Sequence, residues 1–199
     1  MKLLGIFGGT FNPPHIGHYR AAKAFNDEFK LDKLIIMPSN IPPHKMIDKN
    51  SPSPEQRYEL CRLAFNTLGE VSNFELSNNS TSYTYNTVRH FEELYPEHKI
   101  VLCIGDDMLF IFEKWYRFKY LLTHVKLAVT NRSQLPEKQL SDECERLRNK
   151  YKADIMVLVY TPTVISSTEI RAELKSGKNI ENYLDKRVVD YIKANNLYQ

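Results

Sequence analysis

Apolar residues along this chain gather into short unbroken runs, and each run gives way to a turn signal and then to helical spacing. Leu3 to Phe7 reads as a buried strand closed by a Gly-Gly turn, and a helix begins near Ile16 or Gly17 and continues past Phe25. Leu34 to Met37 is a second strand, ended by Pro38. Ser53 as N-cap, Pro54 at the first helical position and Gln56 closing a capping box predict a helix. Its inner face carries Cys61, Ala64, Phe65 and Leu68, and Gly69 is the expected stop. Val88, Phe91 and Tyr95 place another helix from about Tyr85 to Tyr95, halted by Pro96. Three further strands follow at Ile100 to Ile104, Val125 to Thr130 and Ile155 to Tyr160, with a helix over Lys138 to Tyr151 before the last.

Continuous rather than alternating apolarity implies strands covered on both faces. The expected fold is therefore α/β, a doubly wound and mainly parallel sheet with right-handed crossovers, whose ligand cleft lies beyond the carboxyl ends of the strands. A chain of 199 residues with 42% hydrophobic content suits one domain over residues 1–199, with residues 165–199 as a C-terminal helical portion.

Composition narrows the partners. The apolar runs are far shorter than the roughly 18 residues a membrane span needs, so no membrane partner is expected. MKLLGIFGG lacks the length and cleavage region of a secretory signal, which leaves a cytoplasmic protein as the expectation. The three cysteines, Cys61, Cys103 and Cys144, form no CxxC pair and suggest neither a disulfide framework nor a zinc knuckle. A net charge of +3 without a basic block suits small anionic substrates and requires no nucleic acid. Lys114, Arg117, Lys119 and Lys126 read as a solvated helix face. Homo-oligomerisation is left open.

Two motifs carry chemistry. In GGTFNPPHIGH, residues 8 to 18, Gly8 and Gly9 let the backbone approach a phosphate, and the helix starting near Gly17 presents free N–H groups and a positive dipole end. His15 and His18, three residues apart at a helix start, can direct two donors at one anion. There is no third ligand nearby to make a metal site, and the GxGxxG of dinucleotide-binding folds is absent. In ISSTEIR, residues 165 to 171, Ser166, Ser167 and Thr168 can cap a helix and aim hydroxyl and N–H groups at an anion, with Arg171 one turn along.

HIGH at residues 15 to 18 together with ISSTEIR resembles the nucleotidyltransferase superfamily that shares features with class I aminoacyl-tRNA synthetases. The full GGTFNPPHIGH resembles its nicotinate-nucleotide adenylyltransferase branch, as do Lys45 in IPPHK, SYTYNT at 82 to 87, IGDDM at 104 to 108, KWY at 114 to 116 and the closing VVDYIKANNLY. The resemblance implies adenylyl transfer from ATP to nicotinic acid mononucleotide, with Mg2+ carried by ATP. ATP would lie across Gly8, Gly9, Thr10 and Phe11, with adenine and ribose near Gly105, Asp107 and Ile165 and the triphosphate between His15/His18 and Ser166, Ser167, Thr168 and Arg171. His18 would stabilise the transferring phosphate, His15 orient the polyphosphate, Arg171 hold the leaving group and Lys45 bridge the approaching phosphates. Asn12, Thr84, Tyr85, Asn86 and Trp115 would hold the mononucleotide, a helix start at Thr84 to Asn86 receiving its carboxylate and Trp115 stacking on its ring.

Two positions depart from the branch. The usual IGAD is Ile104, Gly105, Asp106 and Asp107, which leaves Asp106 without a role, and Asp185 stands where proline is usual at a helix start. Preference for the amide mononucleotide or acceptance of both mononucleotides, phosphopantetheine or cytidylyl transfer, and a non-catalytic nucleotide sensor are the alternatives.

Overall fold

The computed structural model describes residues 2–40, 51–77, 81–133, 135–163, 165–178 and 180–198. In order, the elements are β1 (Lys2–Gly9), α1 (Ile16–Phe29), β2 (Lys33–Pro38), α2 (Pro54–Phe65), β3 (Glu70–Val71), α3 (Thr84–Leu94), β4 (His98–Gly105) and α4 (Asp106–Leu109). A 3₁₀ turn at Phe112–Lys114 leads to α5 (Phe118–His124), β5 (Lys126–Thr130), α6 (Glu137–Tyr151), β6 (Ile155–Val157), α7 (Ser167–Lys175) and α8 (Lys186–Ala194).

Strands β1 to β6 pair in parallel, and the sheet runs β3-β2-β1-β4-β5-β6. The alternation hidden inside each apolar run decides which core a residue joins. Leu4 and Ile6, Ile35 and Met37, Ile100, Leu102 and Ile104, and Leu127 and Val129 face one layer, which holds Val88 and Phe91 of α3, Leu121 of α5 and Leu140, Cys144 and Leu147 of α6. Phe7, Leu34 and Ile36, Val101 and Cys103, and Ala128 face the other, built from Ala22 and Phe25 of α1 and Cys61 and Phe65 of α2. Leu60 on α2 then seats Ile170 of α7 and Val188, Val189 and Ile192 of α8, so the C-terminal helices pack on the α2 side.

Two expectations need correction. Helix α2 ends at Phe65 with Asn66 right-handed, so Gly69 is not its left-handed stop. A Cβ at Gly69 would instead come within 2.8 Å of the Leu34 carbonyl, and its lack of one lets the chain descend onto β2 as the two-residue strand β3. That strand is too short to leave a periodic signal in sequence. The last strand stops at Val157 rather than Tyr160, because past that point the chain leaves the sheet edge and Val159 is 90% exposed. Asp185 does begin a helix: its side chain accepts the Arg187 N–H at 2.9 Å, a cap in place of proline's preset φ.

Candidate functional site

In the order 3-2-1-4-5-6 the crossovers reverse direction between β1 and β4, and a crevice opens at their carboxyl ends. It is a cavity of about 790 Å³, floored by Gly8 and Gly9 at the end of β1 and by Ile104 and Gly105 at the end of β4. A Cβ on Gly9 would lie 2.9 Å from the Phe11 ring, so glycine lets that ring fold beneath the turn. Phe11 is buried there at φ 46°, a left-handed conformation stabilised by packing on Phe7 and Phe65.

Helix α1 starts on this turn with His15 as N-cap. Its imidazole is 8% exposed and stacks on His18 with centroids 3.7 Å apart, while its backbone N–H donates to His18 Nδ1 at 3.3 Å. A Cβ on Gly17 would meet the His15 ring at 3.0 Å, so the glycine of HIGH makes room for the stacked pair. Burial first, and the positive charge of Arg132 second, pull the His15 pKa down to about 4. The ring is therefore neutral near pH 7 and acts as a hydrogen-bonding group rather than a cation.

The start of α7 lies beside that of α1, and Gly17, His18, Ser166, Ser167 and Thr168 all line the cavity. Ser166 caps α7: its Oγ accepts the Glu169 N–H at 3.2 Å, and its own N–H donates to Glu169 Oε2 at 2.8 Å. The Ser167 hydroxyl donates to the Pro13 carbonyl at 3.0 Å. Arg171 is absent from the cavity lining, because its guanidinium donates to the Asn12 carbonyl at 2.7 Å and to Thr168 Oγ1 at 3.2 Å. Two helix starts thus converge, with their positive dipole ends, on one wall.

On the β4 side, Asp107 accepts from Arg132 at 2.6 Å, while its Oδ1 is buried with no hydrogen-bond partner among the described residues. Gly105 permits this pair, since a Cβ there would fall 2.4 Å from Asp107 Oδ1. The extra acid Asp106 turns away from the cavity. It is fully buried and accepts from both the N–H and the hydroxyl of Ser133 at 3.1 Å, which secures the loop after β5.

A third helix start, that of α3, reaches the opposite wall through Tyr83, Thr84 and Thr87. Tyr85 and Asn86 do not line the cavity: the Tyr85 ring packs on Tyr116 and Tyr120, and the Asn86 N–H is already given to the Tyr83 carbonyl at 2.9 Å. Trp115 lines this wall with Phe112 stacked 4.8 Å from it, and its indole N–H is buried without a partner among the described residues. Asn12 and Ile165 line the cavity too, as do Thr10 and Phe11, whereas Lys45 lies outside the described residues.

The family model for cytidylyltransferase-like proteins matches residues 6–173. The probable nicotinate-nucleotide adenylyltransferase of Carboxydothermus hydrogenoformans is 34% identical over 98% of both chains, and that of Clostridium acetobutylicum 35% identical over the whole of both. This chain belongs to the nicotinate-nucleotide adenylyltransferase family. Plasmodium falciparum nicotinic acid mononucleotide adenylyltransferase, solved in complex with NaAD, shares the fold with a TM-score of 0.76 at 17% identity, over all of this chain and 98% of that one.

Several groups that line the cavity either stand in the quoted motifs without a role of their own, as Lys114, Ser82 and Glu169 do, or lie outside them, as Glu75 and Arg132 do. Lys114 belongs to its wall rather than to a solvated helix face, and Arg132, Glu75, Ser82 and Glu169 join it there. Glu75 is partly buried and accepts from Thr87 Oγ1 at 2.6 Å, and burial raises its carboxyl above the usual range. Nothing local in the sequence marks Glu75 or Arg132, because both reach the cavity through loop geometry.

Proposed function

We propose that the chain transfers the adenylyl group of ATP to nicotinic acid mononucleotide, releasing pyrophosphate and forming nicotinic acid adenine dinucleotide. The observation that carries this reading is the convergence of three helix starts on one cavity, those of α1 and α7 on one wall and that of α3 on the other. The first two suit a polyphosphate donor. The third, beside Trp115, suits an acceptor with an anionic pyridine ring.

In the reaction an oxygen of the acceptor's 5′-phosphate forms a bond to the α-phosphorus of ATP. The bond from that phosphorus to its bridging oxygen breaks, and the electron pair leaves with pyrophosphate. A phosphate monoester, with a second pKa of about 6, is already anionic at neutral pH, so the attack needs no general base. What the protein contributes is alignment and charge stabilisation. His18 Nδ1 accepts a backbone N–H, which puts the neutral ring's proton on Nε2, where it can be given to a phosphoryl oxygen. In this reading His15 orients the polyphosphate, Asp107 Oδ1 takes a ribose hydroxyl, and Lys45 bridges the two phosphates. Arg171 holds the leaving group by exchanging the Asn12 carbonyl for phosphate oxygen.

Magnesium accompanies ATP and is held by phosphate oxygens and water. Among the described residues no group of three His, Cys, Asp or Glu stands together to hold a metal ion. We place the chemistry in the cytoplasm; among the described residues no helix is long and apolar enough to cross a membrane.

The test is pyrophosphate release from ATP with magnesium, run in parallel with nicotinic acid mononucleotide, nicotinamide mononucleotide and phosphopantetheine. Preference for the first is expected. Preference for the second would overturn the carboxylate role of the α3 start, and no release with any would overturn the enzyme reading.

A further inference from the structure

Among the described residues Arg57 is the largest fully buried side chain, 1% exposed, and no carboxylate there is ion-paired with it. Its guanidinium is spent on main-chain carbonyls: Nη1 donates to Thr10 at 3.2 Å and to Ser39 at 2.5 Å, and Nη2 to Asn40 at 3.4 Å. Gly9 and Pro38 are the last register partners of β1 and β2, so these carbonyls belong to the first residues after the strands diverge. Arg57 Nε is buried without a hydrogen-bond partner among the described residues, and the Glu55 charge acts on the guanidinium without an ion pair. A buried guanidinium held mainly by carbonyl dipoles is costly, and a fold that needed only filling there would do better with an apolar side chain.

The contacts continue beyond Arg57. The Asn40 N–H donates to Ser82 Oγ at 2.9 Å, Ser82 is hydrogen-bonded to Glu75, and Glu75 accepts from Thr87 in the first turn of α3. One polar chain therefore runs from Thr10 on the donor side of the cavity to Ser82 and Thr87 on the acceptor side. Its outer links, Thr10, Ser39, Ser82, Glu75 and Thr87, line the cavity, while Arg57 lies outside the lining.

We propose that Arg57 is a positioning residue that sets the distance between the two half-sites, and so the approach of the acceptor phosphate to the α-phosphorus, without contacting either substrate. The inference rests on the adenylyltransferase reading. It differs from a mere packing role in what it affects: each substrate still finds its own wall, but the two walls are misaligned.

The variants are Arg57→Lys, which keeps the cation but loses the planar fork that spans three carbonyls, and Ser82→Ala, which cuts the chain one link further on and leaves α2 intact. The measurements are kcat at saturation with both substrates, and the dissociation constants of a non-hydrolysable ATP analogue and of the mononucleotide, each alone. For Arg57→Lys we expect kcat to fall by about 10²-fold, since a misplacement of about 1 Å costs that much, while each dissociation constant stays within about threefold. Ser82→Ala is expected to show the same split with a loss of about tenfold in kcat. An unchanged kcat in either folded variant overturns the proposal, and so does a loss of ATP-analogue affinity equal to the loss in kcat, which would make Arg57 a support of the ATP loop alone. If Arg57→Lys does not fold, Ser82→Ala decides by the same criteria. Wild-type chain that turns over no acceptor removes the adenylyltransferase reading itself, whereas turnover that survives Arg57→Lys removes only the positioning role.

Discussion

His15 and His18 stack with ring centroids 3.7 Å apart, and the backbone N–H of His15 donates to Nδ1 of His18. Two imidazolium ions could not share that spacing at low cost. With the His15 pKa near 4, the pair avoids the conflict by leaving His15 uncharged at neutral pH. The turn at His15 to His18 thus offers an incoming polyphosphate two oriented imidazoles at the start of α1, beside the start of α7, and Arg132 and Lys114 line the same cavity.

The fixed tautomer of His18 leads to a graded expectation. His18→Ala should lower kcat by on the order of 10²-fold while an ATP analogue still binds. His18→Gln places an amide donor near the Nε2 position and should retain more activity than His18→Asn, whose shorter amide falls near Nδ1. Single-turnover rates for the three variants check this; equal losses in the two amides would mean that the proton on Nε2 plays no part.

His15 makes stability depend on pH in a definite direction. Its folded pKa is lowered from 6.5 to about 4, so between those values the unfolded chain binds more protons and stability falls as pH falls. A shift of this size corresponds to a contribution on the order of 3 kcal/mol that is present above pH 6.5 and lost toward pH 4. His15→Asn removes that titration. Urea midpoints measured from pH 7.5 to 4.5 should therefore move in the variant's favour relative to wild type as the pH drops, and a constant difference would place the proton elsewhere.

Most of the sheet was legible because buried parallel strands leave unbroken apolar runs and helices carry their own boundary marks. Ser53, Pro54 and Gln56 placed the start of α2 to the residue. Residues that function through backbone approach were harder to read. Tyr85 and Asn86 sit in the expected turn, yet one is turned toward Tyr116 and Tyr120 and the other's N–H is already used. Arg57 was readable in principle: it stands one turn before Cys61 on the face that also carries Ala64 and Phe65, a charged residue at an inward position. Glu75 and Ser82 meet only after β3 and α3 have docked, and no spacing rule foretells that.

Trp115 is expected to govern the acceptor rather than ATP. Its ring is backed by Phe112, and the turn that carries it is tied to α6 through Glu113, which accepts from Arg146 at 2.6 Å, from Lys150 at 3.0 Å and from Tyr151. Trp115→Ala should raise KM for the mononucleotide by about tenfold, the value of one aromatic stack, and leave KM for ATP nearly unchanged. Glu113→Gln should move the same constant in the same direction by less, because it loosens the turn and leaves the ring in place. Steady-state kinetics with each substrate varied in turn separates this from a folding defect, which would depress both.

Glu75 gives the opposite pH signature to His15. Burial raises its folded pKa above that of the unfolded chain, while the hydrogen bonds from Thr87 and Ser82 pull it part of the way back. Between the two values the folded state binds more protons, so this group's stabilising effect is complete below the unfolded pKa and is lost as pH rises through the folded one. Glu75→Gln keeps an oxygen to accept from Thr87 and cannot ionise. Its melting temperature should rise relative to wild type as the pH rises from the unfolded carboxyl's pKa through the folded one, and kcat should hold up better over the same rise, because an ionised Glu75 would repel the anionic acceptor close to the start of α3. If instead the stability difference stays the same over that rise, Glu75 is already ionised across that range, and the acceptor binds beside a carboxylate that must be neutralised by Lys114 or the helix start.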